Sequence, residues 1–136
     1  IEEYDEIDEY CKHKNIDWFA SSWDLVSQEK MRKYNFKFNK IASAMATNLE
    51  FLECVASEKR PTFISTGMTK IEEIEDALKI FKGIVIEIHI TNIHSREEFR
   101  HQSFISKVAK GIIAGFGQES YLMAIDYLYK VNNKKV

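Results

Sequence analysis

A glutamate and a histidine on one apolar segment are the residues most suggestive of chemistry. In the run Ile84–Thr91, apolar and polar residues alternate, so Glu87 and His89 fall on one face of a strand and the isoleucines on the other. Glu87 then orients the imidazole and favours its protonated form, from which His89 gives a proton to a leaving hydroxyl. A buried Glu–His pair that only satisfies its own hydrogen bonds, or a strand face exposed to solvent, explains the same pattern equally well. Both interpretations stay open.

Small hydrogen-bonding residues recur where the predicted strands end. The carboxyl ends of parallel strands meet at one edge of a sheet, where hydroxyls and helix N-termini can hold a phosphate or carboxylate. Helix capping explains any single one of these residues better, so only their repetition predicts an anion pocket. Small anions are therefore the predicted partners, and no cofactor is predicted. The residues are Ser21, Ser22, Ser43, Ser65, Thr66, Thr91, Asn92 and the turn Gly115–Gly117.

Other reactive residue types carry weaker signals. Arg100 follows Arg96 by one helical turn and is a candidate for binding an anionic substrate, although a solvent-exposed helix face explains both arginines. Cys11 and Cys54 lie far apart without ligand spacing, so reduced thiols are expected and no metal site. The common nucleotide-binding, zinc-protease and serine-hydrolase motifs do not occur in the sequence.

The composition indicates one folded domain over residues 1–136. With 136 residues, 45% of them hydrophobic, the chain can fill one core. A net charge of -2 gives no basic field for nucleic acid, and no apolar run approaches the roughly 20 residues of a membrane span. The expected reduced thiols fit a cytoplasmic protein, and monomer and homo-oligomer both stay open.

Five apolar runs alternate with segments of helical periodicity and start roughly every 20 to 27 residues, as in stacked βα units. This predicts an α/β fold with three αβα layers and a five-stranded parallel sheet, flavodoxin-like, in the order 2-1-3-4-5. The alternative is an open half-barrel of consecutive βα units, because a complete barrel needs roughly 200 to 250 residues. The runs are Trp18–Ser22, Phe36–Ser43, Thr62–Thr66, Ile84–Thr91 and Gly111–Phe116.

Helix starts are predicted where a hydroxyl precedes a carboxylate by three residues, because the two side chains can cap each other's backbone N–H groups. Three turns carry this pattern, and each follows a predicted strand. The pairs are Thr47 with Glu50, Thr69 with Glu72, and Ser95 with Glu98.

Three stretches within about residues 5–82 carry a family pattern: Phe19-Ala-Ser-Ser-Trp-Asp24, Asn39-Lys-Ile-Ala-Ser43 and Pro61-Thr-Phe-Ile-Ser-Thr-Gly-Met68. Together they resemble the barrel of the sialic acid synthase family, which condenses phosphoenolpyruvate with an N-acetylated sugar. The resemblance implies that Lys40, Ser43 and Ser65, and less directly Ser22, lie around the phosphoenolpyruvate. The family's metal-binding histidines and sugar site belong to strands without a counterpart here, so synthase activity is not expected.

A second pattern runs from about residue 83 to about residue 131. The stretch Ile86-Glu-Ile-His-Ile-Thr-Asn-Ile-His-Ser-Arg-Glu-Glu-Phe-Arg100, then Gly111-Ile-Ile-Ala-Gly-Phe-Gly117 and Tyr121, resembles the C-terminal part of type II 3-dehydroquinate dehydratase, a flavodoxin-like enzyme. The resemblance implies that His89 is a general acid supported by Glu87. It further implies that the backbone around Ile90 and Thr91 holds the substrate carboxylate and that Arg100 binds substrate. The family's base, a tyrosine, belongs to an N-terminal half without a counterpart here.

We interpret the two resemblances as an engineered chimera. Residues 1–82 are the barrel-derived fragment and residues 83–136 the dehydroquinase-like fragment, sharing a single domain. Because each parental site is incomplete, a structural chimera without catalytic activity is the expected function. The alternatives are a weak 3-dehydroquinate dehydratase with His89 as general acid, and a passive domain that binds phosphate or carboxylate.

Overall fold

Helices and short parallel strands make up the part of the chain that the computed structural model describes. It covers residues 2–67, 69–101, 103 and 105–133, and the side chains of residues 71, 72, 100, 132 and 133 fall outside it. Contacts between Cα atoms divide the chain into two units, Ile1–Phe81 and Lys82–Val136. The α/β class is confirmed, because each unit combines helices with a pair of parallel strands. The assignment of residues 1–136 to a single domain stays a prediction.

The first unit places two paired strands beside four helices. Strands β1 and β2 run parallel, with Lys40 opposite Phe63. A 3-10 turn at Ser43–Met45 follows β1 directly. The elements are α1 (Glu2–Lys14), α2 (Leu25–Met31), β1 (Asn39–Ile41), α3 (Leu49–Ser57), β2 (Thr62–Ile64) and α4 (Ile71–Ile80).

The core of the first unit lies between these strands and helices. Side-chain caps begin two of the helices: Asp24 accepts from the Ser27 N–H at 2.7 Å at α2, and Asn48 accepts from the Phe51 N–H at 3.1 Å at α3. Partly buried side chains of α2, β2 and α4 pack around the buried cluster. Because the cluster joins strand and helix residues, it holds β1 against α3. Its buried members are Ile41, Phe51, Leu52, Val55 and Ala77.

The second unit contains two strands followed by a long helix. Strand β3 (Ile86–His89) pairs in parallel with β4 (Gly111–Ala114), and α5 covers Glu119–Asn133. In the described part of the connection between the two strands, 3-10 turns lie at Ile93–Ser95, Glu98–Arg100 and Ile105–Lys107. The connection is long enough for the crossover that a parallel pair requires.

The predicted strand order is wrong for one pair of neighbours. The flavodoxin-like order 2-1-3-4-5 separates the second and third predicted strands, yet these are β1 and β2, which pair directly. The helix α3 connects them, as in one βαβ unit, and this is the neighbour relation of the half-barrel alternative. The fourth and fifth predicted strands, β3 and β4, pair as expected. The described strands form two sheets of two strands each, so the five-stranded sheet stays a prediction.

The first predicted strand, Trp18–Ser22, is not a strand, because residues 16–22 have no regular secondary structure. Side-chain contacts hold this segment instead. The Trp18 ring packs edge-on against Phe36 at 4.7 Å between centroids, and its Nε1–H donates to Asp8 at 3.0 Å. An apolar run of strand length forms a strand only where a neighbouring strand accepts its backbone hydrogen bonds.

Two predicted helix starts are displaced by one residue. Asn48 rather than Thr47 caps α3. At α4 the cap is Lys70, whose N–H donates to Glu73 Oε2 at 2.8 Å, in place of Thr69 with Glu72. Ser95 ends a 3-10 turn rather than beginning a helix, and its hydroxyl donates to the Asn92 carbonyl at 2.9 Å.

Candidate functional site

Glu87 and His89 lie on one face of β3, as the alternation of the sequence predicts. Glu87 Oε1 is 2.6 Å from His89 Nε2. The Glu87 side chain is 1% exposed and the imidazole 30% exposed, so the carboxylate is buried and the ring reaches solvent. A carboxylate in this position fixes the orientation of the ring and favours a proton on Nε2. The pair therefore has the geometry of an oriented proton donor.

Two serines complete the surroundings of the Glu87 carboxylate. Ser106 Oγ donates to Glu87 Oε2 at 2.5 Å. Burial raises the pKa of Glu87, but hydrogen bonds from Ser103, Ser106 and His89 outweigh it and hold this pKa below its ordinary value. The buried carboxylate is therefore charged at neutral pH. Sequence reasoning missed both serines, because nothing in their spacing from Glu87 identifies them.

Strand β4 and helix α5 fix the backbone that carries His89. In the parallel register, Glu87 lies opposite Ile112 and His89 opposite Ala114. The His89 carbonyl accepts hydrogen bonds from the Gly115 N–H at 3.1 Å and from the Ser120 hydroxyl at 3.4 Å. Ser120 is fully buried at the start of α5. Hydrogen bonds from Gly115 and Ser120 thus fix the position of the backbone that carries the imidazole.

An open pocket of about 490 Å³ borders the imidazole. Its lining combines a histidine, an arginine, a threonine and a tyrosine with apolar side chains, which suits a small anionic ligand with hydroxyl groups. The lining residues are Ile88, His89, Ile90, Thr91, Ile93, Arg96, Phe99 and Tyr121.

The other dehydratase-like candidates lie near this pocket or outside the described side chains. Ile90 and Thr91 are exposed at the end of β3, and the Ile90 carbonyl accepts from the Gly117 N–H at 2.9 Å. The Arg100 side chain lies outside the described residues. Arg96, for which a solvent-exposed position was the alternative interpretation, is exposed and also lines the pocket.

In the first unit the structure brings Lys40 and Ser65 together. Lys40 Nζ donates to Ser65 Oγ, and also to the Ile41 carbonyl at 3.1 Å. Because β1 and β2 are parallel neighbours, Lys40 and Ser65 meet near the carboxyl ends of both strands. Burial lowers the pKa of Lys40. A half-buried ammonium beside a hydroxyl can bind an anion there.

The remaining synthase-like candidates are less directly connected. Ser43 begins the 3-10 turn after β1, and in the described part of the chain no hydrogen bond joins its side chain to Lys40 or Ser65. Ser21 donates to the Lys40 carbonyl at 3.3 Å, and the buried Ser22 hydroxyl has no hydrogen-bond partner in the described structure. The predicted edge of small polar residues is therefore assembled only in part within this unit.

The described residues contain no group of three or more His, Cys, Asp or Glu side chains that could hold a metal ion. No described helix is both long and apolar enough to cross a membrane.

Comparison with known proteins matches the chain to a family model and to the structure of a sialic acid synthetase. The model described as NeuB family matches residues 1–104. This range continues past residue 82, the expected end of the synthase-like part, and includes Glu87 and His89. The N-acetylneuraminic acid (sialic acid) synthetase from Leptospira borgpetersenii serovar Hardjo-bovis, solved with citrate, has a TM-score of 0.64 and 25% identity, covering 85% of this chain and 44% of that protein.

A second group of similar proteins consists of dehydratases. The 3-dehydroquinate dehydratase of Bartonella bacilliformis is 51% identical over 64 residues, which is 47% of this chain and 40% of that protein. The enzyme of Syntrophotalea carbinolica is 54% identical over 63 residues, 44% of this chain and 43% of that protein. The type II dehydroquinase of Propionibacterium acnes has a TM-score of 0.50 and 35% identity, covering 60% of this chain and 61% of that protein.

Both resemblances inferred from the sequence are therefore confirmed. One chain combines a segment similar to sialic acid synthases with a segment similar to 3-dehydroquinate dehydratases. The chain spans less than half the length of the two curated dehydratases named above.

Proposed function

Because the chain belongs to the NeuB family and also matches 3-dehydroquinate dehydratases over 64 residues, we propose that it is an engineered chimera of the two enzymes without significant turnover. It keeps part of each site: Lys40 with Ser65 from the synthase, and Glu87 with His89 from the dehydratase. A genome encoding this chain as one contiguous reading frame would contradict the engineered origin.

The observation that carries the proposal is the Glu87–His89 pair beside the pocket. Glu87 Oε1 holds His89 Nε2 at 2.6 Å, and Arg96 in the same pocket can attract a substrate carboxylate. Dehydration needs a base that removes a carbon-bound proton and an acid that protonates the leaving hydroxyl. The pair supplies the acid, which supports binding of a hydroxy acid without completing the reaction.

A second candidate is weak 3-dehydroquinate dehydratase activity. The observation that favours it is Tyr121, which lines the same pocket as His89. A phenol near the imidazole can take a proton from substrate when ionised, so Tyr121 would replace the missing base at low efficiency.

The deciding experiment combines a turnover assay with a binding assay on the same samples. Chain and 3-dehydroquinate are incubated, and formation of the conjugated product is followed by ultraviolet absorbance. In parallel, ligand-induced shifts of the His89 ring signals are followed by NMR. The proposal expects saturable shifts and a rate equal to that of His89→Ala. A rate above His89→Ala that falls again in Tyr121→Phe supports the second candidate and contradicts the first. Unchanged His89 signals at millimolar ligand contradict both.

A further inference from the structure

The Glu87 carboxylate is shared between two kinds of donor. His89 Nε2 binds one oxygen, Oε1, at 2.6 Å, and Ser106 Oγ binds the other, Oε2, at 2.5 Å. Ser103 also donates to this carboxylate. An ionised carboxylate accepts several hydrogen bonds but donates none. Ser106 therefore occupies Oε2, and Oε1 is the oxygen that contacts the imidazole.

The hydrogen bonds from these serines are important because the Glu87 carboxylate is buried. The Glu87 side chain is 1% exposed, so water cannot replace a lost donor at Oε2. A buried carboxylate without enough donors takes up a proton rather than stay charged. Protonated Glu87 can donate to the imidazole as well as accept from it, and it then no longer specifies which ring nitrogen carries the proton.

We propose that Ser106, assisted by Ser103, is a positioning residue that keeps the Glu87 carboxylate oriented so that the proton of neutral His89 stays on Nε2. Nδ1 is then the ring nitrogen that gains and gives the exchangeable proton. The 3-10 turn Ile105–Lys107 presents the Ser106 hydroxyl to β3 across nineteen positions of sequence. The inference rests on the proposed function only for the use of His89 as an acid. The other titratable or charged side chains of the pocket lining are Arg96 and Tyr121.

A purely structural role makes a different prediction. If Ser106 only anchors its turn to β3, its removal lowers stability but leaves the proton on Nε2, because Glu87 and His89 still lie side by side. The position of the proton is therefore the readout that separates the two roles, and neither turnover nor ligand binding is needed to measure it.

The experiment is NMR on the full chain labelled with ¹⁵N and ¹³C. At a pH where the ring is neutral, the ¹⁵N shifts of His89 report which nitrogen carries the proton, and the carboxyl ¹³C shift of Glu87 reports its ionisation. We expect a dominant Nε2–H form in the unsubstituted chain, mixed forms in Ser106→Ala, and recovery of the Nε2–H form in Ser106→Thr. In Ser106→Ala the pKa of Glu87 rises, because an ionised carboxylate loses a donor.

Ser95→Ala is the matched control, since its hydroxyl donates to a backbone carbonyl of the same unit rather than to Glu87. It should keep the Nε2–H form. If Ser106→Ala does not fold, Ser103→Ala tests the same carboxylate. An unchanged proton position in the folded serine variant, Ser106→Ala or Ser103→Ala, overturns the positioning role whether or not the chain turns over substrate. If the chain binds no ligand but Ser106→Ala shows a mixture of the two protonated ring forms of His89, only the proposed function is overturned.

Discussion

Glu87 and His89 lie two positions apart on β3 and are joined by a 2.6 Å contact between Oε1 and Nε2, although one side chain is buried and the other reaches solvent. The buried Glu87 carboxylate thus orients the imidazole of His89, which reaches the surface of the second unit. The cost of burying the charge is offset by hydrogen bonds from Ser103, Ser106 and His89. Removal of the charge should therefore change both stability and its dependence on pH.

The first prediction concerns Glu87→Gln. Because the pKa of Glu87 is lowered in the folded chain, its ionisation stabilises the fold above the ordinary carboxyl pKa, and this contribution is lost as the pH falls through the folded value. We expect Glu87→Gln to lower the free energy of unfolding by about 1 to 3 kcal/mol at pH 7 and to flatten its decline in acid. Urea unfolding followed by circular dichroism between pH 7 and 3 measures both. If the free energy of unfolding of Glu87→Gln falls as steeply in acid, the ionised Glu87 does not stabilise the fold as predicted.

The second prediction concerns Glu58 in the first unit. Its side chain is 5% exposed and accepts from Gln28 at 2.9 Å, Arg32 at 3.0 Å and Asn39 at 2.9 Å. Burial raises its pKa, but these donors and the charge of Arg60 lower it below the ordinary value. Glu58→Gln should cost about 3 kcal/mol at pH 7 and less in acid, where the wild-type charge is lost.

Tryptophan fluorescence during urea unfolding measures the effect of Glu58→Gln. Glu53→Gln is the matched control, because Glu53 is exposed on α3, and it should stay within about 0.5 kcal/mol of the wild type. Equal losses in the two variants would show that the buried hydrogen bonds of Glu58 contribute nothing specific.

The third prediction concerns Gly115, which follows β4. Its φ is +94°, and a Cβ added there would lie 3.2 Å from the Asn92 Cβ. Gly115→Ala should therefore destabilise the second unit by about 1 to 3 kcal/mol, through backbone strain and displacement of Asn92. Gly111→Ala is the control, because no atom lies within 4 Å of its added Cβ. Hydrogen exchange of the β3 amides measures the stability of the second unit in the two variants. Equal protection of these amides in Gly115→Ala and Gly111→Ala would contradict the prediction.

The fourth prediction concerns anion binding at Lys40. Burial lowers the pKa of this amine, and a bound anion favours the charged form, so binding should weaken as the pH rises. Millimolar phosphate or phosphoenolpyruvate should raise the melting temperature with the logarithm of concentration. The rise should disappear in Lys40→Met and persist in Lys79→Met, because the Lys79 side chain is exposed and pairs with the exposed Asp76. An equal rise in Lys40→Met would exclude this site.

The fifth prediction tests the assignment of one domain to residues 1–136. Both tryptophans, Trp18 and Trp23, belong to the first unit, so their fluorescence reports its unfolding. Amide signals of β3 report the second unit. A single domain predicts coincident urea midpoints, and a shift of both midpoints in Gly115→Ala. Separate midpoints would show two independently folding units.

Much of the second unit follows from local sequence. Strict alternation in Ile84–Thr91 predicts both β3 and the common face of Glu87 and His89, because side chains on a strand repeat every two residues. The two family resemblances were likewise readable from the order of short motifs. The helix starts were predicted less well, since Asn48 and Thr47 are both plausible caps and the backbone uses only one.

Relations between distant residues were decided by tertiary structure. The pairing of β1 with β2 and the meeting of Lys40 with Ser65 depend on which strands share hydrogen bonds, and the sequence pattern of a strand does not name its neighbour. Trp18–Ser22 has the composition of a strand, but its backbone forms no strand, and Trp18 packs against Phe36 instead. Ser106 reaches Glu87 only because a turn folds back on β3. Periodicity fixes which residues share a face, whereas contacts across the chain depend on loop geometry and packing that no local pattern encodes.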